Sequence, residues 1–405
     1  MVGRGVSMVL RRVGCVLLLG VIGVAVVVSS AAEGPIRIGV SEPLTGSVSL
    51  AGASTLNGIT LAVEEINLAG GLLGRQVQLY VCDSKCDATE AVTCAQRLIY
   101  DARVVTVIGY QCSGASLAVM QLHQEAGIPL HVDCSTSISI TLTAGVGGND
   151  WVFRCNPPDP IKTVAYSQYM MAHSVPNAKV AILAVTGSWG EGAVKTFATD
   201  IPAAGGQIVS VDYFTEGESE FTPVLTKIKN ENPDALLVLV RAQTAITFLK
   251  QYLELNMTVP LFSMGELVAQ AVISAVGVEN AEGITSCAGW LPGDPADEPF
   301  VTAYRARWGS EPSEGSAEGY VAMTNIAQAI RDQGAATPDA IRQGLKALNT
   351  DSLMGHVTFD DHNQAWTEVV IGVNSAAGKV ELLDKQQAVR PDGFWASMAT
   401  LFGSK

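Results

Sequence analysis

The sequence is poor in charged residues, and in basic ones most of all. Charged residues make up 16% of the 405 residues, and 25 Lys and Arg stand against 39 Asp and Glu. Because nucleic-acid binding needs concentrated positive charge, the formal net charge of −14 argues against a nucleic-acid partner. Hydrophobic residues form 48% of the chain, which excludes an intrinsically disordered protein. The length favours two or three domains with sizeable cores.

Cysteines and histidines are also few, and two common hydrolase motifs are absent from the sequence. Eight Cys are too few for a small disulfide scaffold, and the five His are scattered without the spacing of a zinc site. The G-x-S-x-G and H-E-x-x-H motifs do not occur. We therefore expect no catalytic residue, no metal site and no cofactor, although an α/β fold alone does not exclude an enzyme.

The N-terminal segment has the features of an export signal. Arginines are the only charged residues before Glu33, and an uncharged run, Val13–Val28, follows them. Ser30 and Ala32 supply the small residues that precede a cleavage point. We expect a signal peptide, residues 1–32, and a periplasmic or other extracytoplasmic location. The alternative is an uncleaved anchor, because about 20 apolar residues can span a bilayer.

The rest of the chain alternates apolar strands with helices. The strands are short, mostly continuous apolar runs, which are typical of a parallel sheet covered by helices on both faces. The pattern restarts after a proline-rich break at 156–160. The sequence therefore predicts an α/β protein with two doubly wound parallel-sheet lobes.

The predicted elements have the following bounds. Strands are expected at 36–40, 77–81, 104–108, 128–132, 179–185, 207–213, 235–240 and 259–262. Helices are expected at 57–68, 88–100, 113–125, 161–172, 191–201, 221–230 and 244–255. The tail after Leu382 shows no regular pattern, and no element is predicted there.

A series of motifs, in order along the chain, resembles a known family. The motifs are LTG at 44–46, NG at 57–58, AVEEINLAGGLLGRQVQL at 62–79, DSKCD at 83–87, VIGYQCS at 107–113, GEG at 190–192, SMGE at 263–266 and LMGHVTFD at 353–360. Together they resemble the periplasmic substrate-binding proteins of branched-chain amino acid ABC transporters, the leucine/isoleucine/valine-binding family. The likeness covers nearly the whole chain after the leader.

This resemblance implies a type I periplasmic binding fold, in which a three-strand hinge joins two lobes and the ligand binds in the cleft. On this basis we expect an N-terminal lobe from 33–156 with 290–364, and a C-terminal lobe from 157–289 with 365–405. The resemblance also implies a monomeric, non-catalytic receptor. Such a receptor binds a small-molecule ligand and delivers it to the membrane permease of an ABC transporter.

The resemblance implies that Ser113 binds the ligand. Ser113 follows a predicted strand and opens the next helix. Its hydroxyl and the N–H groups of Gly114 and Ala115 can hold a carboxylate there, because helix N-termini offer free N–H groups. The alternative is an ordinary helix N-cap, which explains most serines at helix starts.

Two further positions match the family's ligand contacts. Cys134, Ser135 and Thr136 follow the next predicted strand, and the family residue at Thr136 contacts both the carboxylate and the amine of the ligand. Glu266 matches the acid that pairs with the ligand ammonium. The alternatives are an ST-turn or capping role for Thr136 and a solvated surface position for Glu266.

Three positions depart from the family pattern, because Ala51, Trp189 and Arg241 stand where tyrosines are expected. Trp189 can stack on a ligand, close the cleft or belong to a core. Arg241 can pair with Glu266 or hold a second acidic group on the ligand. Its alternative is a solvent-exposed place at the rim of a lobe. These departures move the expected ligand away from a plain branched-chain amino acid.

Seven cysteines follow the leader, and export makes disulfides plausible. Cys86 and Cys112 occupy the positions that resemble the family disulfide beside the binding serine. The pairing of the others, namely Cys82, Cys94, Cys134, Cys155 and Cys287, stays open.

Three functions are compatible with these features. The first is a solute-binding receptor for a carboxylate-bearing ligand, an amino acid or a related compound. The second is an extracytoplasmic sensor with the same fold, and the third is a secreted hydrolase. Aromatic acids, dicarboxylates and small amides are alternative ligands.

Overall fold

A computed structural model describes Met1, Gly3 and residues 34–403 of the chain. The predicted signal peptide, residues 1–32, lies almost wholly outside these described residues. Within 34–403, no helix has both the length and the apolar character that crossing a membrane requires.

Five parallel strands form the first sheet, in the order β2-β1-β3-β4-β5. The strands are β1 (Ile36–Glu42), β2 (Val77–Asp83), β3 (Thr106–Gly109), β4 (Leu130–Val132) and β5 (Val152–Arg154). The helices between them are α1 (Ser49–Leu68), α2 (Ala88–Gln96), which continues into a π-helical turn at Arg97–Asp101, α3 (Ser113–Ala126) and α4 (Ile138–Leu142). The strand order reverses between β1 and β3, which is where open α/β sheets bind ligands.

Seven strands form the second sheet, in the order β14-β13-β10-β9-β8-β6-β7. The strands are β6 (Lys179–Val185), β7 (Gln207–Phe214), β8 (Ala235–Leu239), β9 (Leu261–Met264), β10 (Thr285–Ala288), β13 (Glu368–Asn374) and β14 (Val380–Gln387). The helices are α5 (Asp159–Ala172), α6 (Gly190–Ala203), α7 (Thr222–Glu231), α8 (Ala242–Glu254), α9 (Gln270–Val276) and α10 (Val278–Ala281). The five strands from β6 to β10 are parallel to one another. β13 pairs antiparallel with β10, and β14 pairs antiparallel with β13.

Three later helices return to the first sheet. They are α11 (Glu298–Trp308), α12 (Glu314–Gln333) and α13 (Pro338–Lys346), and the hairpin β11 (Asn349–Ser352) and β12 (Gly355–Thr358) follows. α12 packs along α1, and both share a core with β1. The approach is so close that a Cβ on Gly58 would lie 1.9 Å from the carbonyl oxygen of Ser316. A glycine is therefore required at this point of α1.

The chain passes between the two sheets three times. It leaves the first sheet after β5, returns after β10, and crosses again before β13. Arg154 and Gln364 form a bridge where two of these crossings run side by side. The α/β class and the doubly wound sheets are confirmed, while the exact residue bounds of the lobes stay a prediction.

Two of the differences between the prediction and the structure have a clear physical cause. α1 begins at Ser49, eight residues before the expected start, because small and polar residues in its first turns give no apolar stripe. The tail after Leu382 is structured: β14 extends to Gln387, and α14 (Phe394–Phe402) packs against α4. β14 is a half-exposed edge strand, so its apolar alternation is too weak to stand out in the sequence.

Candidate functional site

Loops at the carboxyl ends of strands from both sheets meet at one cavity. The first sheet contributes the loops after β3 and β4, and the second contributes those after β6, β8 and β9. The lining residues are Gln111, Ser113, Cys134, Thr136, Lys162, Trp189, Arg241, Met264, Gly265, Glu266, Glu314, Gly315 and Glu318. The position agrees with the general rule for ligand sites in open α/β sheets.

Six of the eight residues predicted to bind ligand line this cavity. They are Ser113, Cys134, Thr136, Trp189, Arg241 and Glu266. Gly114 and Ser135 are not among the lining residues. The Ser135 hydroxyl donates to the carbonyl oxygen of Tyr110 at 2.5 Å and lies 2.8 Å from the Ser116 hydroxyl. Ser135 therefore fixes the loop after β4 against α3.

Ser113 opens α3 from a buried position. Cys112, not Ser113, is the N-cap residue, and no side chain caps this end of the helix. Within residues 34–403, the hydrogen bond recorded for the Ser113 hydroxyl is a weak one, from the backbone N–H of Ser137 at 3.4 Å. Cys112 forms a disulfide with Cys86, as the resemblance implies, and their Cα atoms are 5.4 Å apart. The disulfide anchors the segment that carries Ser113.

The sequence left the partners of the other cysteines open. Cys82 and Cys94 form a second disulfide, which ties β2 to α2. Among the cysteines that the structure describes, Cys134, Cys155 and Cys287 are free and buried. Burial, together with nearby acids, raises the pKa of the Cys134 thiol well above its usual value, so this lining residue is a neutral thiol at neutral pH.

Arg241 lies in the cavity, 9% exposed, rather than in solvent at the rim. Its Nη1 lies 2.7 Å from Oε2 of Glu216, and its guanidinium stacks 4.5 Å from the centre of the Trp189 ring. Glu266 instead accepts the backbone N–H of Ala242 at 2.7 Å. Glu216 is therefore the carboxylate partner of Arg241, and the sequence contains no signal that identifies it.

The position of Glu266 depends on a glycine. Gly265 has a φ of +129°, and a Cβ there would lie 2.4 Å from the carbonyl oxygen of Val240. Burial raises the pKa of Glu266, while the Ala242 N–H and Arg241 oppose this shift. The carboxyl group thus caps the start of α8 and lies at the cavity surface.

Lys162 on α5 is a cavity residue that sequence reasoning missed. Its Nζ lies 3.9 Å from Oδ1 of Asp159, which is beyond hydrogen-bond distance. Burial alone would lower the pKa of Lys162, but Glu314, Asp159 and Glu318 raise it above its usual value. Lys162 therefore carries a positive charge into the cavity.

Glu314 and Glu318 on α12 were also missed. Glu314 accepts the backbone N–H of Gly289 at 2.6 Å, and Glu318 accepts the Asn156 side-chain N–H at 3.0 Å. Burial raises the pKa of both carboxyl groups. The spacing E-x-x-x-E puts both on one helix face, and the small residues around them mark that face as buried. This spacing was the sequence signal that could have identified Glu314 and Glu318.

A pair of fully buried acids lies behind the cavity. Glu42 accepts the backbone N–H of Gln111 at 3.1 Å, and Asp133 accepts that of Cys134 at 2.6 Å. Burial raises the pKa of both groups, and each also interacts with the other. Because two ionised carboxylates in contact repel each other, we infer that the pair holds one proton. The pair positions two lining residues and does not reach the cavity itself.

Comparison with known proteins gives a consistent result. A family model described as "Periplasmic binding protein" matches residues 35–379. An "Amino acid binding protein" of Pseudomonas aeruginosa is 26% identical over 82% of this chain and 88% of its own length. The branched-chain amino acid transporter substrate-binding protein LivJ of Streptococcus pneumoniae, solved with isoleucine, matches 88% of this chain and 100% of its own chain, with a TM-score of 0.78 and 26% identity. A solute-binding protein of Rhodopseudomonas palustris, solved with 3,4-dihydroxybenzoic acid, shares the fold with a TM-score of 0.81. The two chains are 21% identical, and the match covers 89% of this chain and 99% of that one.

Proposed function

Because the chain belongs to the periplasmic binding protein family, we propose that it is the extracytoplasmic solute-binding receptor of an ABC importer. The resemblance to the branched-chain amino acid type, noted from the sequence motifs, is confirmed. The proposed ligand is a small molecule with a carboxylate and an amine, an amino acid or a close relative. The proposed partner is the membrane permease that receives this ligand.

The convergence of complementary groups on one cavity carries this proposal. Ser113 and Thr136 come from the first sheet, and Trp189 and Glu266 come from the second. A carboxylate placed at the start of α3 gains the Ser113 hydroxyl and the free N–H groups of the helix end. An ammonium placed near Glu266 gains a carboxylate. A zwitterion therefore bridges the two sheets and favours their approach.

Contacts across the cleft support a clamp that closes. Gly217 follows β7 of the second sheet, and Ser47 follows β1 of the first. A Cβ on Gly217 would lie 3.2 Å from Cβ of Ser47. A Cβ on Gly114 would lie 3.9 Å from the Ser188 hydroxyl across the cleft. α1 and α8 also touch. Since loops from both halves meet around the cavity, a ligand held there is shielded from solvent.

We further propose that the receptor is monomeric, is exported to the periplasm or cell exterior, and catalyses no reaction. The carboxyl, guanidinium and ammonium groups of the cavity bind ions, which suits a receptor rather than a catalyst. The neutral thiol of Cys134 supports this, because the thiolate is the nucleophilic form.

Isothermal titration calorimetry of residues 33–405 with the common amino acids tests the function. We expect at least one amino acid to bind with Kd in the micromolar range or below. Ser113→Ala should weaken that binding by about 1–3 kcal/mol, because a buried carboxylate loses a partner. Ser397→Ala, on the exposed face of α14, is the matched control and should bind as the wild type does. If no amino acid binds, or if both variants bind alike, the proposal is wrong.

A further inference from the structure

The cavity contains more acidic than basic side chains. Lys162 and Arg241 are its basic residues, and Glu266, Glu314 and Glu318 are its acidic residues. The charge of Arg241 is already matched by Glu216, which lies 2.7 Å away. Lys162 is therefore the one remaining cation among the lining residues, and both Glu314 and Glu318 lie close enough to act on it.

Asp159 is a fourth buried carboxyl group, which lies behind the lining residue Lys162. It is 2% exposed, and among the described residues no donor has good hydrogen-bond geometry to its carboxylate oxygens, although the side chains of Thr136 and Trp189 lie close to them. Thr136 and Lys162, its neighbours, both line the cavity. Lys162 does not satisfy Asp159 by a hydrogen bond, because the two charged atoms are 3.9 Å apart. Lys162 and the buried Arg154 are the cations that act on Asp159, and the acids of this region still outnumber its cations.

A branched-chain amino acid does not correct this imbalance. Its carboxylate and ammonium cancel, and its side chain would place methyl groups against the carboxyl groups of α12. A buried carboxyl group without a counter-charge stays protonated, because its ionisation there is costly. A ligand with a second protonated nitrogen supplies the missing counter-charge.

We propose, on the basis of the function proposed above, that the ligand is an α-amino acid whose side chain ends in a protonated nitrogen, and that Glu314 and Glu318 hold this group. The two residues lie one turn apart on α12, so both carboxyl groups reach the same part of the cavity. Gly289 and Asn156 each donate to one oxygen of these groups and orient them. Glu266 is left for the α-ammonium.

Calorimetry with matched pairs of ligands tests the inference on residues 33–405. Each pair has the same shape and differs by an ammonium or a methyl end group: 2,4-diaminobutyrate against norvaline, ornithine against norleucine, and lysine against 2-aminoheptanoate. For at least one pair we expect the diamino acid to bind about tenfold more tightly or better. Equal or tighter binding of the neutral member in every pair overturns the inference.

Variants of the two α12 acids test whether these residues hold the side-chain ammonium of the ligand. Glu314→Gln and Glu318→Gln should each weaken binding of the preferred diamino acid about tenfold, while the neutral partner changes less than about threefold. Glu282→Gln, at an exposed site, is the control and should change neither. Thermal unfolding checks that each variant is folded, and equal losses for both ligands overturn the assignment.

The outcomes separate the two proposals. Binding of neutral amino acids alone overturns this inference and leaves the proposed function intact. Absence of binding by any amino acid, charged or neutral, overturns both.

Discussion

Single residues decide what the cavity can bind. At Arg241 the chain carries a guanidinium where relatives were expected to carry a phenol, but Glu216 already neutralises it. This pairing leaves Arg241 a poor receptor for a second carboxylate on the ligand. A dicarboxylate is therefore a weaker candidate than the sequence alone indicated. Trp189 lies against Arg241 and so forms part of the same wall.

Buried histidines make the stability of the protein depend on pH. Burial lowers the pKa of His123 to about 4, against about 6.5 in an unfolded chain. Between these values the unfolded chain binds a proton that the folded chain does not. The free energy of unfolding therefore falls as the pH decreases below 6.5, by up to about 1.4 kcal/mol per pH unit for this group. Burial also lowers the pKa of His131, so both histidines contribute to the loss of stability at low pH.

The contribution of His123 is tested by His123→Asn, whose amide can still donate to the carbonyl oxygen of Ile128. Urea unfolding between pH 6.5 and 4.5 should show a shallower loss of stability in the variant than in the wild type. His173→Asn, at an exposed histidine, is the control and should keep the wild-type slope. An unchanged slope in the His123 variant contradicts this account.

Residues of the site were predictable only where a family motif or a strand end marked them. Ser113, Thr136 and Glu266 were found in this way. Lys162 and Glu216 were not, because one lies within a helix and the other in a loop, and tertiary packing brings Lys162 to the cavity and Glu216 to Arg241. Local sequence does not encode such long-range neighbours.

At the scale of elements, the α1–α12 contact holds the acids of α12 at the cavity. Gly58→Ala would place a Cβ 1.9 Å from the backbone oxygen of Ser316, so the two helices must separate. We expect a loss of more than about 2 kcal/mol in unfolding free energy, since overpacking a rigid core typically costs about 1–3 kcal/mol and here the obstacle is backbone. Chemical denaturation measures this change.

Gly192→Ala, in α6, is the matched control for that substitution. Its Cβ would find its nearest atoms at 3.9 Å, an ordinary contact distance. The variant should therefore be as stable as the wild type or up to about 1 kcal/mol more stable, because alanine favours helix. Equal effects of the two substitutions would show that the helix contact at Gly58 is not tight.

Elements were predicted well where apolar runs are continuous. β6 spans Lys179–Val185, the predicted bounds, because six of its seven residues are buried and the run is unbroken. α14 was missed although it is apolar, because its short sequence follows an irregular tail and it is anchored by tertiary contacts. Asp360 accepts N–H bonds from Trp366 and Trp395 and so ties α14 to the last crossing. Such anchoring is invisible in a local pattern.

At the scale of the whole molecule, two sheets enclose one cavity and three crossings join them. The crossings lie near the site: Asn156, on the first, donates to both the Cys134 carbonyl oxygen and Glu318. Gln364, on the third, accepts from Arg154 at 2.7 Å and donates to the carbonyl oxygen of Asn156 at 2.8 Å. The hydrogen bonds of the crossings therefore reach the cavity wall, which suits a clamp whose closure depends on a ligand.

A crystal structure of residues 33–405 with the amino acid that calorimetry finds to bind most tightly tests the central claim most directly. The account predicts the ligand in the cavity between the two sheets, with a carboxylate oxygen about 3 Å from the Ser113 hydroxyl and the α-ammonium at hydrogen-bond distance from Glu266. A ligand bound outside this cavity, or bound in it with its carboxylate away from the start of α3, would contradict the account.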